Sequence, residues 1–298
     1  MKKITLLAVA FAFFAFNVQA QDEELVSKKG YKILPESGDY AIGVDVAPFF
    51  QALNFMGGTS TGPKFSMSDG FSIFGKYYAE KDMAYRVKFV FNSVSTTKNF
   101  FVTDQTVLIP TPSDVVEDKG TYNYTMAALS FGFEKRRGQG RLQGFYGADF
   151  FVQYADGDAT NQNFSATYGN EFSSDHTLPT STVFAGTGDT PGTRTTKINQ
   201  GGSLGLGLRA FVGVEYFFAP KISLGGEFGW GMAYQIGFNG EATTEEWDPV
   251  AGEVKSTTVK NGGQDNQFIF GSTGGTNEFF GANNWLGLNG AINLTFHF

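Results

Sequence analysis

The stretch Lys221-Ile222-Ser223-Leu224-Gly225-Gly226-Glu227-Phe228-Gly229-Trp230-Gly231-Met232-Ala233-Tyr234-Gln235-Ile236-Gly237-Phe238 decides the fold. Its even positions are oily: Ile222, Leu224, Phe228, Trp230, Met232, Tyr234, Ile236 and Phe238, broken only by Gly226. Its odd positions are small or polar, from Ser223 and Gly225 through Glu227 to Gln235 and Gly237. A period of two belongs to a β-strand. The run is longer than the roughly five or six residues of an ordinary soluble strand. It passes the roughly 9–11 residues that cross a bilayer at a tilt. A soluble sandwich would turn a well-charged face to water. This second face is mostly Gly and Ala with isolated charges, as in a narrow lumen, and small side chains let a few strands close around a small radius.

The same alternation appears on both sides. Upstream, Leu204, Leu206, Leu208, Ala210, Val212, Val214, Tyr216 and Phe218 oppose Ser203, Gly205, Gly207, Arg209, Phe211, Gly213, Glu215 and Phe217. Downstream, Leu286, Leu288, Gly290, Ile292, Leu294, Phe296 and Phe298 oppose Trp285, Gly287, Asn289, Ala291, Asn293, Thr295 and His297. Eight such segments can be placed, at about 40–50, 71–79, 83–97, 121–134, 141–154, 202–218, 221–238 and 285–298. Short joints (Glu80-Lys81-Asp82, Lys135 to Gly140, Ala219-Pro220) alternate with long polar ones at about 51–70, 98–120, 155–201 and 239–284. The expected fold class is therefore all-β: a transmembrane antiparallel up-and-down β-barrel of eight strands with long extracellular loops. Both termini fall on the short-turn, periplasmic side. Within the two longest loops, Thr193–Ile198, Val254–Lys260 and Gln267–Phe270 are too short to span and are expected as ribbon extensions above the bilayer.

The 298 residues contain only 17 % charged side chains, with 33 Phe and 39 Gly, a β-type rather than a helical composition. The absence of cysteine excludes disulfides, thiol catalysis and thiolate metal sites. A net charge of −7 with no basic stripe argues against nucleic acid as a partner. Lys2 and Lys3, the apolar Ile4–Phe16 and the small-residue pattern Val18-Gln19-Ala20 read as a signal peptide over 1–20. Its removal leaves 20 basic and 29 acidic residues, a net charge of −9. Residues 21–38 read as a polar periplasmic segment and 39–298 as the barrel. After residue 20 no run of 18 apolar residues occurs, so a helical membrane span is not expected.

Three features carry a family resemblance. The terminal Leu294-Thr295-Phe296-His297-Phe298 alternates and ends in Phe. The hairpin Phe74-Gly75-Lys76-Tyr77-Tyr78 to Met83-Ala84-Tyr85-Arg86 has a tight turn. A signal peptide precedes both. On these the chain resembles the small outer-membrane barrels of Gram-negative bacteria, the OmpA-, OmpX- and OmpW-type group. The resemblance implies residence in the outer membrane. It also implies contact with outer-membrane lipid and lipopolysaccharide, and reading of Phe296 and Phe298 by the barrel-assembly machinery. Many OmpA-type chains continue into a peptidoglycan-binding domain. Here the barrel pattern runs to residue 298, so wall anchoring of that kind is not implied.

Parity sends Asp45, Lys76, Arg86, Lys88, Asp149, Arg209, Glu215 and Glu227 into the lumen, with Glu134 near its periplasmic end. That makes five acids and four bases, and charges confined in a narrow interior should pair. Two readings stay open: a salt-bridged plug that fixes barrel shape, or a gate that rearranges to pass small solutes. Aromatic girdles are expected at Tyr77, Tyr78, Phe133, Phe217, Phe218, Phe296 and Phe298 toward the short turns. A second girdle is expected at Tyr234, Phe238, Phe280 and Trp285 toward the loops.

The four long loops sum to −10, so the outer end is acidic, while Lys135-Arg136-Arg137 and Arg141 make the inner end basic. An acidic rim serves solubility or attracts cations. Asp156-Gly157-Asp158 and Glu245-Glu246-Trp247-Asp248 are the candidate calcium clusters, and neither follows an EF-hand spacing. Asp175-His176 is the one acid–histidine neighbour pair, but adjacent residues on an extended chain point opposite ways. His297 falls on the lumen face as a packed hydrogen-bonding group. Gly201-Gly202-Ser203-Leu204-Gly205 sits in a strand pattern, not before a helix, so it is no phosphate loop. The expectation is a non-enzymatic outer-membrane protein without metal or cofactor, structural or displaying its loops for binding. The alternatives are a narrow channel for small or apolar solutes and, more remotely, a rim-located lipid-modifying enzyme.

Overall fold

A computed structural model describes residues 25–46, 71–138, 140–157, 161–172, 179–187, 189, 192–272 and 291–298. The signal peptide over 1–20, the whole of the first long loop at 51–70, Asp158, Asp175-His176, Phe280 and Trp285–Gly290 lie outside the described residues.

The chain is all-β. Its strands are β1 (Tyr40–Asp45), β2 (Phe71–Glu80), β3 (Met83–Thr103), β4 (Val115–Arg137), β5 (Leu142–Asp156), β6 (Asn163–Thr167) and β7 (Thr193–Asn199). They continue as β8 (Gly202–Ala219), β9 (Ile222–Gly237), β10 (Gly240–Asp248), β11 (Glu253–Asn261), β12 (Gln267–Ser272) and β13 (Ala291–His297). Eight of them form a closed antiparallel ring, β1-β2-β3-β4-β5-β8-β9-β13 and back to β1. The seam between first and last strands runs from Ala41 opposite His297 to Asp45 opposite Asn293. Paired backbone bonds between Tyr40 and Phe298, at 2.8 and 2.9 Å, finish it. Closure leaves the ring without edges, as a sheet in hydrocarbon requires.

The two faces sort as the alternation predicts. On β9, Leu224, Phe228, Trp230, Met232, Tyr234 and Ile236 are exposed outward, whereas Ser223, Glu227, Gly229, Gly231, Ala233 and Gln235 are buried inside. β3 and β4 carry the same division, with Tyr85, Val87, Phe89 and Phe91 outside and Ala84, Arg86, Lys88, Val90 and Asn92 inside on β3. Glycines admit the large inward rings. A Cβ at Gly213 would lie 2.2 Å from the Phe145 ring, and one at Gly207 would lie 2.2 Å from Phe151.

Several expectations need correction. β3 and β4 pair from Met83↔Lys135 out to Thr103↔Val115, well past the expected ends at residues 97 and 121. The oily alternation stops there, but the backbone ladder continues. β6, β7, β10 and β11 add to this ribbon as one outer sheet in the order β4-β6-β7-β10-β11. The pieces at 193–199 and 253–261 are thus extensions above the barrel. β12 is not, because it pairs with β9 from Gln267↔Gln235 to Ser272↔Trp230 on the barrel wall itself.

Tyr78 and Phe217 do not belong to the girdle. Both are fully buried inside, following the inward parity of Lys76 and Glu215. Arg136 is not in a turn either. β4 runs to Arg137, and the even parity of Glu134 carries Arg136 inward. The stretch before β1 is more than a polar lead. Ile33 is 1 % exposed, and its carbonyl accepts the Lys221 amide at 3.1 Å. The segment is tied to the short turns by Asp39–Lys221 and by Ser37 Oγ donating to the Ala79 carbonyl at 2.8 Å. Lys221 holds a left-handed φ of 59° in that turn.

Candidate functional site

The lumen gathers the chemistry. Lys76 on β2 lies 3.0 Å from Glu134 on β4 and 3.9 Å from Glu215 on β8. Arg86 on β3 reaches Glu227 on β9 at 2.9 Å, Glu134 at 3.5 Å and Asp149 on β5 at 3.5 Å. Arg209 on β8 pairs with Asp149 at 2.9 Å and also with Glu227. Arg136 donates to Glu215 and to the Tyr78 hydroxyl and stands 3.8 Å from Glu134. These eight side chains form one connected lattice of four acids and four bases.

Lys88 is buried beside the lattice and feels the charges of Glu227 and Asp45. Asp45 is half-buried at the upper end of β1. With these two, the lumen holds five acids and five bases among the described residues. Arg136 is the base missing from the sequence count.

The rings take part. The Arg86 guanidinium lies 4.2 Å from the Phe211 centroid, with that of Arg209 5.1 Å from the same ring. Lys76 Nζ sits 5.1 Å from the Phe145 ring. Such contacts help hold cations that have left water. Toward the short turns, His297 packs 5.1 Å from Phe217 and 5.7 Å from Tyr78. Its Nε2 lies 3.0 Å from Ser223 Oγ and 3.4 Å from Glu215.

The lumen is closed in layers. Ile33 and its neighbours cover the short-turn end. The His297–Tyr78–Phe217 layer and the ionic lattice follow. A void of about 10 Å³ lies among Lys76, Arg86, Glu215 and Glu227, about the room of a single water. Above it, Val90, Met126, Ala128, Phe151 and Ala233 form an apolar layer. Higher still, the lumen-side face of the outer sheet packs Phe164 and Ile198 against Phe184, with Tyr122, Ala166, Tyr168 and Ala242 around them. Phe184 comes from the third long loop and fits over Gly120, where a Cβ would lie 2.4 Å from its ring.

Buried polar groups pin that loop. Asp118 accepts the amides of Gly169 at 2.9 Å and Thr182 at 2.6 Å. Arg194 pairs with Glu245 at 3.1 Å and stacks on Tyr168 at 4.5 Å. Burial raises the Tyr168 phenol above its usual range, and Asp189 adds to the shift.

A cleft of about 280 Å³ lies at the short-turn end, lined by Leu34, Pro35, Lys81, Arg136, Arg137 and Gln143 among others. Among the described residues no cluster of His, Asp or Glu is placed to hold a metal ion, and Glu245 of the acidic run is engaged by Arg194. Phe296 and Phe298 point outward on the closing strand, both exposed.

No family model matches the chain, and no curated protein matches it. Among solved structures it is similar to a major outer membrane protein from Thermus thermophilus, at 10 % identity and a TM-score of 0.33. The match covers 88 % of this chain and 100 % of that one.

Proposed function

We propose that this chain is an integral outer-membrane β-barrel without catalytic activity, a closed, internally braced cylinder that displays an outer sheet above the bilayer. One observation carries the reading: the described ring is oily outside and carries a buried, ion-paired lattice of four acids and four bases inside. An oily cylinder in water would expose dozens of apolar side chains without a partner, whereas hydrocarbon covers them. A narrow channel would require the Ile33 cap, the ionic lattice and the Phe151 layer all to move, so the plug is favoured over the gate.

The orientation follows from the loops. Short turns and both described ends share one side, and the outer sheet stands on the other. The test is fractionation with surface labelling. An epitope at Val250, on the β10–β11 tip, should be labelled on intact cells, whereas one at Lys81 should need a permeabilised membrane. The protein should remain with the outer membrane until detergent is added. Recovery in the soluble fraction, or labelling at Lys81 on intact cells, would remove the reading.

A further inference from the structure

The base of the β10–β11 hairpin brings together two copies of one dipeptide. Asn239-Gly240 leads into β10, and Asn261-Gly262 leaves β11. Gly240 and Asn261 are partners on the last rung of the hairpin. A third copy, Asn289-Gly290, lies outside the described residues. In an Asn-Gly step the backbone nitrogen can approach the side-chain carbonyl carbon of the preceding residue, because glycine puts no Cβ in the way.

The two described copies differ in what surrounds the glycine nitrogen. At Gly240 it is covered. That residue is buried, and a Cβ on Gly263 would lie 2.6 Å from its nitrogen and 2.3 Å from the Phe238 carbonyl oxygen. On the other side of Asn239, the Phe238 amide donates to the Gly202 carbonyl at 2.8 Å. Asn239 is therefore fixed from both ends. Gly262 stands clear. It follows the last ladder residue, is exposed, and would have nothing within 4 Å of an added Cβ. The Asn261 carboxamide lies over Gly240, where a Cβ would come 2.0 Å from its Oδ1. That oxygen is buried and has no hydrogen-bond partner among the described residues.

We propose that Asn261-Gly262 is a self-modification site, which deamidates through a cyclic imide and so opens the base of the hairpin. The Gly262 nitrogen attacks Asn261 Cγ. The new N–Cγ bond replaces the Cγ–Nδ2 bond, and Nδ2 leaves as ammonia with the Gly262 amide proton. Water then opens the imide. Attack at Cγ leaves an aspartyl residue in a normal chain. Attack at the backbone carbonyl leaves an isoaspartyl link, with one extra atom in the chain.

Both products conflict with the rung. The aspartyl carboxylate would carry charge onto a buried oxygen without a donor, which costs more than an unpartnered amide. The isoaspartyl link lengthens the strand at the rung where Gly240 and Asn261 are in register. In either case the Gly240–Asn261 rung gives way. The chemistry uses only water, and it does not depend on where the barrel resides.

The test uses the folded full-length chain in detergent micelles, aged at neutral pH, then digested and mapped by fragmentation mass spectrometry. A parallel sample is aged in denaturant. In denaturant, Asn239 and Asn261 should deamidate at similar rates. In the folded protein, Asn261 should react at least about tenfold faster than Asn239. Gly262→Ala, whose methyl meets open space, should slow the reaction at Asn261 by about tenfold while heat-modifiable mobility stays that of the parent. Asn261→Asp should lose amide-exchange protection at Gly240 while β8 keeps the parent's pattern. Equal rates at Asn239 and Asn261 in the folded protein would overturn the proposal. So would an Asn261 that stays intact in the fold while the denatured chain reacts. Protection of Gly240 unchanged in Asn261→Asp would overturn the opening of the rung.

Discussion

Arg86 holds Glu227 with two guanidinium nitrogens, at 2.9 and 3.3 Å, across 141 residues of sequence. Their strands, β3 and β9, stand opposite each other in the eight-strand ring. The pair therefore spans the lumen and ties walls that share no backbone bond. Its neighbours Glu134, Asp149 and Arg209 extend the tie around the circumference.

Removing one partner of such a pair leaves a buried charge uncompensated. Glu227→Gln should destabilise the barrel by about 3–5 kcal/mol, and Arg86→Met by a similar amount. The double variant Arg86→Met/Glu227→Met keeps the lattice neutral and should recover most of the loss. Denaturant unfolding in lipid vesicles, followed by tryptophan fluorescence, checks the sign of the coupling.

Two inward glycines of β8 should respond differently to a methyl group. A Cβ at Gly213 would fall 2.2 Å from the Phe145 ring and 2.6 Å from the Gly226 carbonyl, whereas at Gly205 its nearest neighbour is 3.5 Å away. Gly213→Ala should lower stability by about 1–3 kcal/mol through overpacking, while Gly205→Ala stays near the parent. The midpoint of heat-modifiable mobility reports both.

The change along the outward parity of β3 from Phe91 to Ser93 makes a depth prediction on the membrane reading proposed above. Leu208→Arg, in the outward belt of β8, should cost about 2–4 kcal/mol, and Thr97→Arg, on the same outer surface but above the boundary, about 0–1 kcal/mol. Equal penalties would misplace the belt. Refolding yield into vesicles is the readout.

The tip of the β10–β11 hairpin should respond to acid. Asp248 accepts the amides of Val250 and Ala251 at 2.8 and 3.1 Å, and these bonds hold its carboxyl below the usual aspartate range. With the folded value depressed, the ordering is complete at pH above the ordinary value of about 4 and is lost as pH falls through the folded one. Amide exchange at Val250 and Ala251, corrected for intrinsic rates, should lose protection on acidification. Asp248→Asn should abolish that pH dependence.

Most of the ring was legible because its outward and inward positions differ in chemistry at most steps of β8 and β9. Parity also located the acids and bases of the lattice. Arg136 escaped because three consecutive cations, Lys135-Arg136-Arg137, read as a solvated turn. The even parity already set by Glu134 was the available signal. Tyr78 and Phe217 were misplaced for a similar reason: an aromatic ring near a strand end suits either an interface or a packed lumen, and parity decides. The outer sheet was harder to see. Its strands face water on one side and a loop on the other, so they lack the oily alternation that marks a membrane strand. The Ile33 cap carries no periodic signal at all, since it is made by a short turn-rich segment held through backbone bonds.

The closed lumen is tested most directly by recording current through single barrels in a planar bilayer. Purified parent protein, shown to be inserted, should give no reproducible unitary steps, and removal of residues 25–35 should leave it silent, because the ionic and Phe151 layers remain. Discrete, repeatable conductance steps from the parent barrel would contradict the account.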